Sequence, residues 1–405
     1  MKAHIAIYLQ NKSNLKAIIK DIFDNILLKD WVDLEGMKGE LFSRMTIEKL
    51  IDKELKHDQI VVRSENNSPL HTMSSGQRRK SLLQYLINQK PDFLVLDDVF
   101  ASIDQETRAF TLEKLAQISE HTLFVQLFYR KADVLDVIQT VATLDESGQI
   151  QSIISKAEFL QTSNIKKTEK QAFELPASFQ SIAPVSDPLI KLKNVSLSYG
   201  DKEVLRDISW EIRQGEFWQL AGPIGSGKSS LISMIVGDNP KGYGQDITLF
   251  GHQKGSGESI WDIKKHIGYF TPSMLAQFKR NDSVEHMIIS GLLDSIGLYV
   301  KPTDLQLQTA RNWLAVLGES FHAKNFMQLS YGQQRIVMVV RALSKQPPLL
   351  ILDEPTVGLD DENTALFISM IHAIARTRQV AIIYVSHRAE PDLQPEYVYR
   401  LGGGN

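Results

Sequence analysis

The 405-residue chain contains no cysteine. That absence removes disulfides, iron–sulfur clusters, thiolate zinc sites and cysteine nucleophiles together, and it suits a reducing compartment. Long apolar runs are missing as well. A membrane-spanning helix needs about 18 or more consecutive apolar residues. The longest candidates, 336–340 and 349–352, are broken by Arg341, Lys345 and Asp353. Near the start, Lys2 precedes only the apolar stretch 5–9 before Asn11 and Lys12, too short for the core of a signal peptide. Nor is there an excess of positive charge: 45 Lys and Arg stand against 48 Asp and Glu, a formal net charge of −3. A broadly basic nucleic-acid footprint is thereby disfavoured. The expectation is a soluble, cytoplasmic protein for which any transport role requires a separate membrane partner.

What is present is an ordinary globular composition, 43% hydrophobic and 23% charged. At about 150 residues per domain the length predicts two or three domains. The clearest boundary is 163–188, which carries Pro176, Pro184 and Pro188 among Ser, Ala and Lys and has few core anchors. It reads as a linker between regions 1–162 and 189–405. The two regions repeat each other. At an offset of 256, residues 71–104 align with 327–360 without a gap. Ser74, Gly76, Gln77 and Arg79 match Ser330, Gly332, Gln333 and Arg335, while Asp97 and Asp104 match Asp353 and Asp360. Polar residues kept at such spacing indicate duplication. Each copy predicts a helix (77–88; 333–345), a short buried strand (93–96; 349–352), a second helix (105–119; 362–376) and a β-branched strand (122–128; 380–385). Strands alternating with helices predict an α/β fold with a parallel sheet and right-handed crossovers.

Residues 222–229 read Gly-Pro-Ile-Gly-Ser-Gly-Lys-Ser, a full G-x-x-x-x-G-K-[ST] phosphate loop, with a predicted strand before it (216–221) and a helix after it (230–236). Backbone N–H groups freed by glycine can wrap phosphates at a helix N-terminus. The candidate nucleotide-binding set is Gly222, Gly225, Ser226, Gly227, Lys228, Ser229 and Ser230. Lys228 suits the β and γ charge, and the Ser229 hydroxyl suits Mg²⁺. Downstream, Leu349-Leu350-Ile351-Leu352-Asp353-Glu354 is an apolar strand that delivers two carboxylates to its C-terminal end, where ligands bind in open α/β sheets. Asp353 suits a metal held through water, and Glu354 a general base for the attacking water.

Leu329-Ser-Tyr-Gly-Gln-Gln-Arg335 resembles the signature of the ATP-binding cassette (ABC) ATPases, with Tyr331 in place of one glycine. Gly358-Leu359-Asp360 resembles their D-loop and Ser386-His387 their H-loop. Segments 255–269 and 290–299 look like the tandem ABC ATPases of the molybdate-transport/photorepair type. The resemblance covers 189–401 well, 71–145 moderately and 1–70 weakly. It implies two P-loop NTPase domains in tandem, ATP and Mg²⁺ as ligands, adenine stacked on Tyr199 and the γ-phosphate touched by His387. It also implies that cassettes work as head-to-tail pairs within the chain, each phosphate loop facing the other's signature. One position departs from the family: Pro272 and Ser273 stand where the Q-loop glutamine belongs, and Gln277 comes four or five residues late.

The first region is expected to be a shortened, degenerate cassette. Only 73 residues precede Ser74, whereas Lys228 and Ser330 are 102 apart. Its nearest glycine-rich stretch, 36–43, has Leu41 and Phe42 where the last glycine and the lysine belong. Asp98 replaces the catalytic glutamate, and Tyr129 or Lys131 replaces the histidine. Its signature, Met73-Ser-Ser-Gly-Gln77, is intact. The expectation is one hydrolytic site, built from Lys228, Ser229, Asp353, Glu354 and His387, with Ser74, Gly76 and Gln77 supplied in trans. The reciprocal site, where Ser330, Gly332 and Gln333 face the eroded loop, binds nucleotide weakly or not at all. The alternative is that the first signature is a relic. The resemblance implies the energising subunit of a membrane transporter of the molybdate type, peripheral on the cytoplasmic face. The alternatives are a soluble ATPase acting on nucleic acid or ribosomes, and an ATP-gated switch.

Overall fold

The computed structural model describes residues 4–9, 14–57, 59–63, 68–100, 103, 105–145, 147–161, 173–176, 185–223, 225–278, 280–322, 324–386, 390 and 392–402. Most of the expected linker, 163–172 and 177–184, lies outside the described residues. The chain divides into two compact units, residues 1–169 with 357–362 and residues 170–356 with 363–405.

The first unit runs β1 (Ile5–Tyr8), α1 (Leu15–Phe23), β2 (Gly39–Phe42), α2 (Arg44–His57), α3 (Ser75–Asn88), β3 (Phe93–Asp97), α4 (Gln105–Ile118), β4 (Leu123–Phe128), β5 (Thr140–Leu144), β6 (Ile150–Ser155) and α5 (Lys156–Gln161). One six-stranded sheet has the order β2-β3-β4-β1-β5-β6. Its pairings are parallel except β6, which runs antiparallel to β5. β1, β3 and β4 are buried along their whole length, so they read as near-continuous apolar runs rather than as alternation. Leu94, Leu96 and Phe124 pack into one core with Leu82 and Leu86 of α3. Phe93, Val95 and Val125 pack into another with Ile18 and Ile22 of α1. Residues 357–362, expected with the second region, are grouped with this unit by their bonds. Arg130 Nε donates to the Leu359 carbonyl at 3.2 Å, and the Asp361 carboxylate accepts from Lys131 N at 3.1 Å and from the Tyr8 hydroxyl at 3.3 Å.

The second unit runs β7 (Ile190–Tyr199), β8 (Lys202–Ile212), β9 (Phe217–Ala221), α6 (Lys228–Ile235), β10 (Asp246–Leu249), β11 (His252–Gln253), α7 (Ile260–Lys264), β12 (Ile267–Phe270), α8 (Val284–Leu292), α9 (Asp304–Leu317), α10 (Glu319–His322), α11 (Tyr331–Leu343), β13 (Leu349–Asp353), α12 (Asp361–Thr377), β14 (Ala381–Val385) and β15 (Tyr397–Arg400). A parallel sheet has the order β12-β13-β14-β9-β15. A separate antiparallel sheet, β11-β10-β7-β8, was not anticipated from the pattern. Its inner residues Leu192, Leu197 and Trp210 share a core with Leu231, Ile232 and Ile235 of α6.

The order β2-β3-β4-β1-β5 in the first sheet is the order β12-β13-β14-β9-β15 in the second. Asp97 pairs with Leu127, and Leu127 with Ile7; Asp353 pairs with Val385, and Val385 with Leu220. Ile7 therefore corresponds to Leu220. α1 begins eight residues after Ile7, at Leu15, and α6 begins eight residues after Leu220, at Lys228. This corrects the expectation that 36–43 is the relic of a phosphate loop. Gly39–Phe42 is a strand paired with β3, in the place of β12. Gly39 is glycine because a Cβ there would lie 2.1 Å from the Phe93 ring. The segment equivalent to 222–229 is 9–16, of which 10–13 lie outside the described residues.

The approach to α3 is held by a buried carboxylate. Glu54 accepts the backbone N–H groups of Leu70 at 3.1 Å and His71 at 3.0 Å, and Arg78 Nε donates to the Leu70 carbonyl at 2.9 Å. Removing the acceptor orphans the buried Leu70 N–H and frees the half-buried one of His71. Glu54→Ala is expected to destabilise the first unit by about 2–4 kcal/mol, measured as a shift of its unfolding transition in urea. A shift below about 0.5 kcal/mol would contradict the clamp.

Candidate nucleotide site

β9 ends at Ala221 and the chain turns through 222–227 into α6. Gly227 caps the helix at φ +93°, and a Cβ there would lie 2.6 Å from Leu205 Cδ2, so only glycine fits. Among the described residues no side-chain hydrogen bond caps α6, and a helix start of this kind suits an anion. Lys228 is 8% exposed; its ammonium donates to the carbonyls of Gly222 at 2.6 Å and Pro223 at 2.8 Å. The cation is thus folded over the loop that a triphosphate occupies in a phosphate loop. Ser226 Oγ is buried without a hydrogen-bond partner among the described residues. Ser229 is exposed on the first turn, Ser230 is half-buried, and Gly222 and Gly225 both take positive φ. Ile224 lies outside the described residues.

The register Asp353–Val385–Leu220 sets the ends of β13, β14 and β9 side by side, so Asp353 and Glu354 leave the sheet at the same end as the loop. Glu354 is bent into the left-handed region at φ +48°, a costly conformation for a side-chain-bearing residue. It is held there by its own N–H on the Val385 carbonyl at 2.9 Å, and by Arg335 Nη1 on its carbonyl at 3.2 Å. Ser386 Oγ reaches its carboxylate at 3.5 Å. His387 lies outside the described residues. Tyr269, which sequence reading missed, has its hydroxyl pushed above the ordinary tyrosine range by burial and then by the charge of Asp353. Tyr199 ends β7 with its ring 48% exposed. After β12 the chain makes a 3₁₀ turn, Pro272–Gln277, with Gln277 exposed.

Both signature segments are helix starts with capping boxes. Ser74 Oγ accepts from Gln77 N at 3.3 Å, while Gln77 Oε1 accepts from Ser74 N at 3.0 Å. Ser330 Oγ accepts from Gln333 N at 3.1 Å, and Gln333 Oε1 from Ser330 N at 3.2 Å. The spacing Ser-x-x-Gln is therefore a local folding device as well as a motif. Gly76 and Gly332 are buried, each the second residue of its helix.

The first unit repeats the backbone of the acid site. Asp98 sits at φ +44° where Glu354 stands, its N–H on the Leu127 carbonyl at 3.2 Å. Arg79 Nη1 donates to the carbonyls of Asp98 at 3.0 Å and Val99 at 3.2 Å, as Arg335 does to those of Glu354 and Pro355. Two residues after Leu127 comes Tyr129, as His387 follows Val385, so the histidine position belongs to Tyr129 and not Lys131. Asp104 lies outside the described residues.

The family described as ABC transporter matches residues 205–357. The chain is 37% identical over 328 residues to the ABC transporter ATP-binding protein ModF of Escherichia coli, a match that takes in 78% of this chain and 67% of ModF. It is 35% identical over 204 residues to an uncharacterized ABC transporter ATP-binding protein, YmeB, of Lactococcus lactis, covering 50% of this chain and 78% of that one. With the zinc uptake system ATP-binding protein ZurA of Listeria innocua it shares 33% over 204 residues, 49% of this chain and 76% of ZurA. A strand–loop–helix with its lysine, acids delivered to the same sheet end and relatives of this kind agree, and the chain belongs to the ABC transporter ATP-binding proteins, whose cassette binds and hydrolyses ATP.

Proposed function

We propose that this is a tandem cassette protein with one competent nucleotide site, in the second unit, and a first unit that is a shortened, degenerate cassette. The observation that carries the reading is the gap-free register from strand to helix in both units: Leu15 stands at the place of Lys228. An apolar side chain there gives a polyanion no countercharge. In the competent site, Gly222, Gly225, Ser226, Gly227, Lys228, Ser229 and Ser230 take the phosphates and Tyr199 stacks on adenine. Ser229 and Asp353 are hard oxygen donors of the kind Mg²⁺ accepts, and would hold the ion. When bound, it neutralises charge on the β and γ phosphates. Glu354 accepts a proton from the water whose oxygen attacks the γ-phosphorus as the bond to the β-phosphate oxygen breaks, releasing ADP and phosphate. His387 is assigned to the γ-phosphate on the family resemblance.

In this reading Ser74, Gly76 and Gln77 complete that site in trans with the N–H groups at the start of α3, and Ser330, Gly332 and Gln333 meet the eroded loop. The first unit's own acid supports the asymmetry. Asp97 is 6% exposed, its Oδ1 has no hydrogen-bond partner among the described residues, and its carboxyl is pushed up to about 7 by burial, then by the charge of Asp98, with Arg79 opposing. A carboxyl so placed is a poor magnesium ligand near neutrality. The transport role follows from the kind of relative: ModF is named as an ABC transporter ATP-binding protein and ZurA as that of a zinc uptake system. No helix among the described residues is long and apolar enough to cross a membrane. We read the chain as the energising subunit of a membrane transporter of the molybdate type, on the cytoplasmic face, with the permease a separate partner.

Three variants test the site. Lys228→Ala is expected to abolish ATP binding, followed by equilibrium binding of a fluorescent nucleotide. Glu354→Gln should bind ATP normally yet turn over at least about 100-fold more slowly, in a phosphate-release assay. Ser74→Arg should cut turnover at least about tenfold, although it lies far along the chain from Lys228; wild-type turnover would sink the contribution in trans.

Asp97 gives a pH signature. Because its folded pKa lies above the unfolded value of about 4, the folded state binds the extra proton between pH 4 and 7. Stability therefore falls as pH rises through that window, and the full cost is present above it. Asp97→Asn is expected to flatten this slope and to stabilise the first unit by about 2–4 kcal/mol at pH 8 but not at pH 4, read from urea titrations at both values. Equal effects at the two pH values would contradict a buried, proton-holding carboxyl.

A further inference from the structure

We infer that Asn239 is a positioning residue for the nucleobase, fixing the Tyr199 ring against the phosphate-binding helix. This rests on the reading that Tyr199 stacks on adenine, and it adds a residue that no motif marks.

The Tyr199 ring is 48% exposed, yet its hydroxyl is not left to solvent: it accepts from Asn239 Nδ2 at 3.1 Å. Asn239 is 7% exposed and follows α6. Its amide nitrogen also reaches Ser233 Oγ at 3.4 Å, and Ser233 Oγ donates to the Ser230 carbonyl at 2.7 Å. Ser230 is the third residue of the helix that begins with Lys228. A chain of three hydrogen bonds thus connects the aromatic ring on the antiparallel sheet to the first turn that takes the phosphates. Asn239 is itself fixed: its backbone N–H meets the Ser233 carbonyl at 3.0 Å, and its Oδ1 accepts from Lys241 N at 3.1 Å. From the same turn Lys241 lays its ammonium 4.6 Å from the Tyr199 ring centroid and bonds the Ser198 carbonyl. The lysine covers one face of the ring, and a base stacks on the other.

An exposed tyrosine without such a link must be ordered by each incoming base, at an entropic cost that lowers affinity. Anchored through Asn239 and Ser233 to the first turn of α6, the ring is held in place before a base arrives. The link acts on the base and not on the chemistry, so it belongs in KM for ATP and leaves kcat and the grip on phosphate alone.

The experiment compares Tyr199→Phe, Asn239→Ala, the double variant and Tyr199→Ala in the full chain. It measures kcat and KM for ATP together with the affinity for inorganic tripolyphosphate, which has phosphates and no base. Tyr199→Phe and Asn239→Ala are each expected to raise KM about fivefold, the loss of one hydrogen bond. In both, kcat should stay within about twofold and tripolyphosphate affinity should be unchanged. The double variant should be no worse than either single one, because both remove the same bond. Additive losses, or an equal loss of tripolyphosphate affinity in Asn239→Ala, would overturn the inference and leave Asn239 as a structural residue of the turn. If Tyr199→Ala weakens ATP while Tyr199→Phe does not, the stacking reading survives and the Asn239 link fails. If Tyr199→Ala also binds ATP as wild type does, the stacking reading itself fails.

Discussion

Parallel pairing of β13, β14 and β9 is the constraint from which the site follows. The phosphate-loop motif and the acids at the end of β13 are about 130 residues apart in the chain. They meet because Asp353, Val385 and Leu220 lie in register and all three strands point the same way. A slip of one residue in either pairing would turn every side chain of that strand to the other face of the sheet. The buried apolar side chains of these strands, among them Ile351 and Ile383 in one core, forbid such a slip. Packing in the interior thus sets the chemistry at the edge.

The same constraint shows where reading the sequence succeeds. The strand Phe93–Asp97 and its counterpart Leu349–Asp353 announce themselves as short apolar runs closed by an acid, because both faces of a central parallel strand are covered. The phosphate loop is legible because glycine, lysine and serine at fixed spacing have few other uses. The antiparallel sheet was not seen: β7 alternates Ile190, Leu192 and Val195 with exposed lysines, but β10 on one side of it and β11 beyond are too short to carry a pattern of their own.

Glycine misled at 36–43, since Gly39 serves the Phe93 ring and not an anion. Segment 9–16 holds no glycine at all, so only strand register could match it to 222–229. Register also settled Tyr129 over Lys131, a choice that turns on where β4 ends. Asn239, Arg335 and Arg79 act through bonds to side chains or carbonyls of residues distant in sequence, and no local spacing encodes those. The strained acids are another such case. Asp98 and Glu354 share a left-handed bend and an arginine brace, although one side chain is a methylene shorter.

On the reading proposed for the first unit, the capping boxes account for a signature that outlasts its phosphate loop. A serine and a glutamine that close the first turn of their own helix are retained for folding whether or not a ligand ever arrives, and their loss would fray α3. The lysine of a phosphate loop closes no such turn of its own helix. On that reading the phosphate loop of the first unit has faded to Leu-Gln-Asn-Lys-Ser-Asn-Leu-Lys at 9–16, while Met73-Ser-Ser-Gly-Gln77 stays spelled in full.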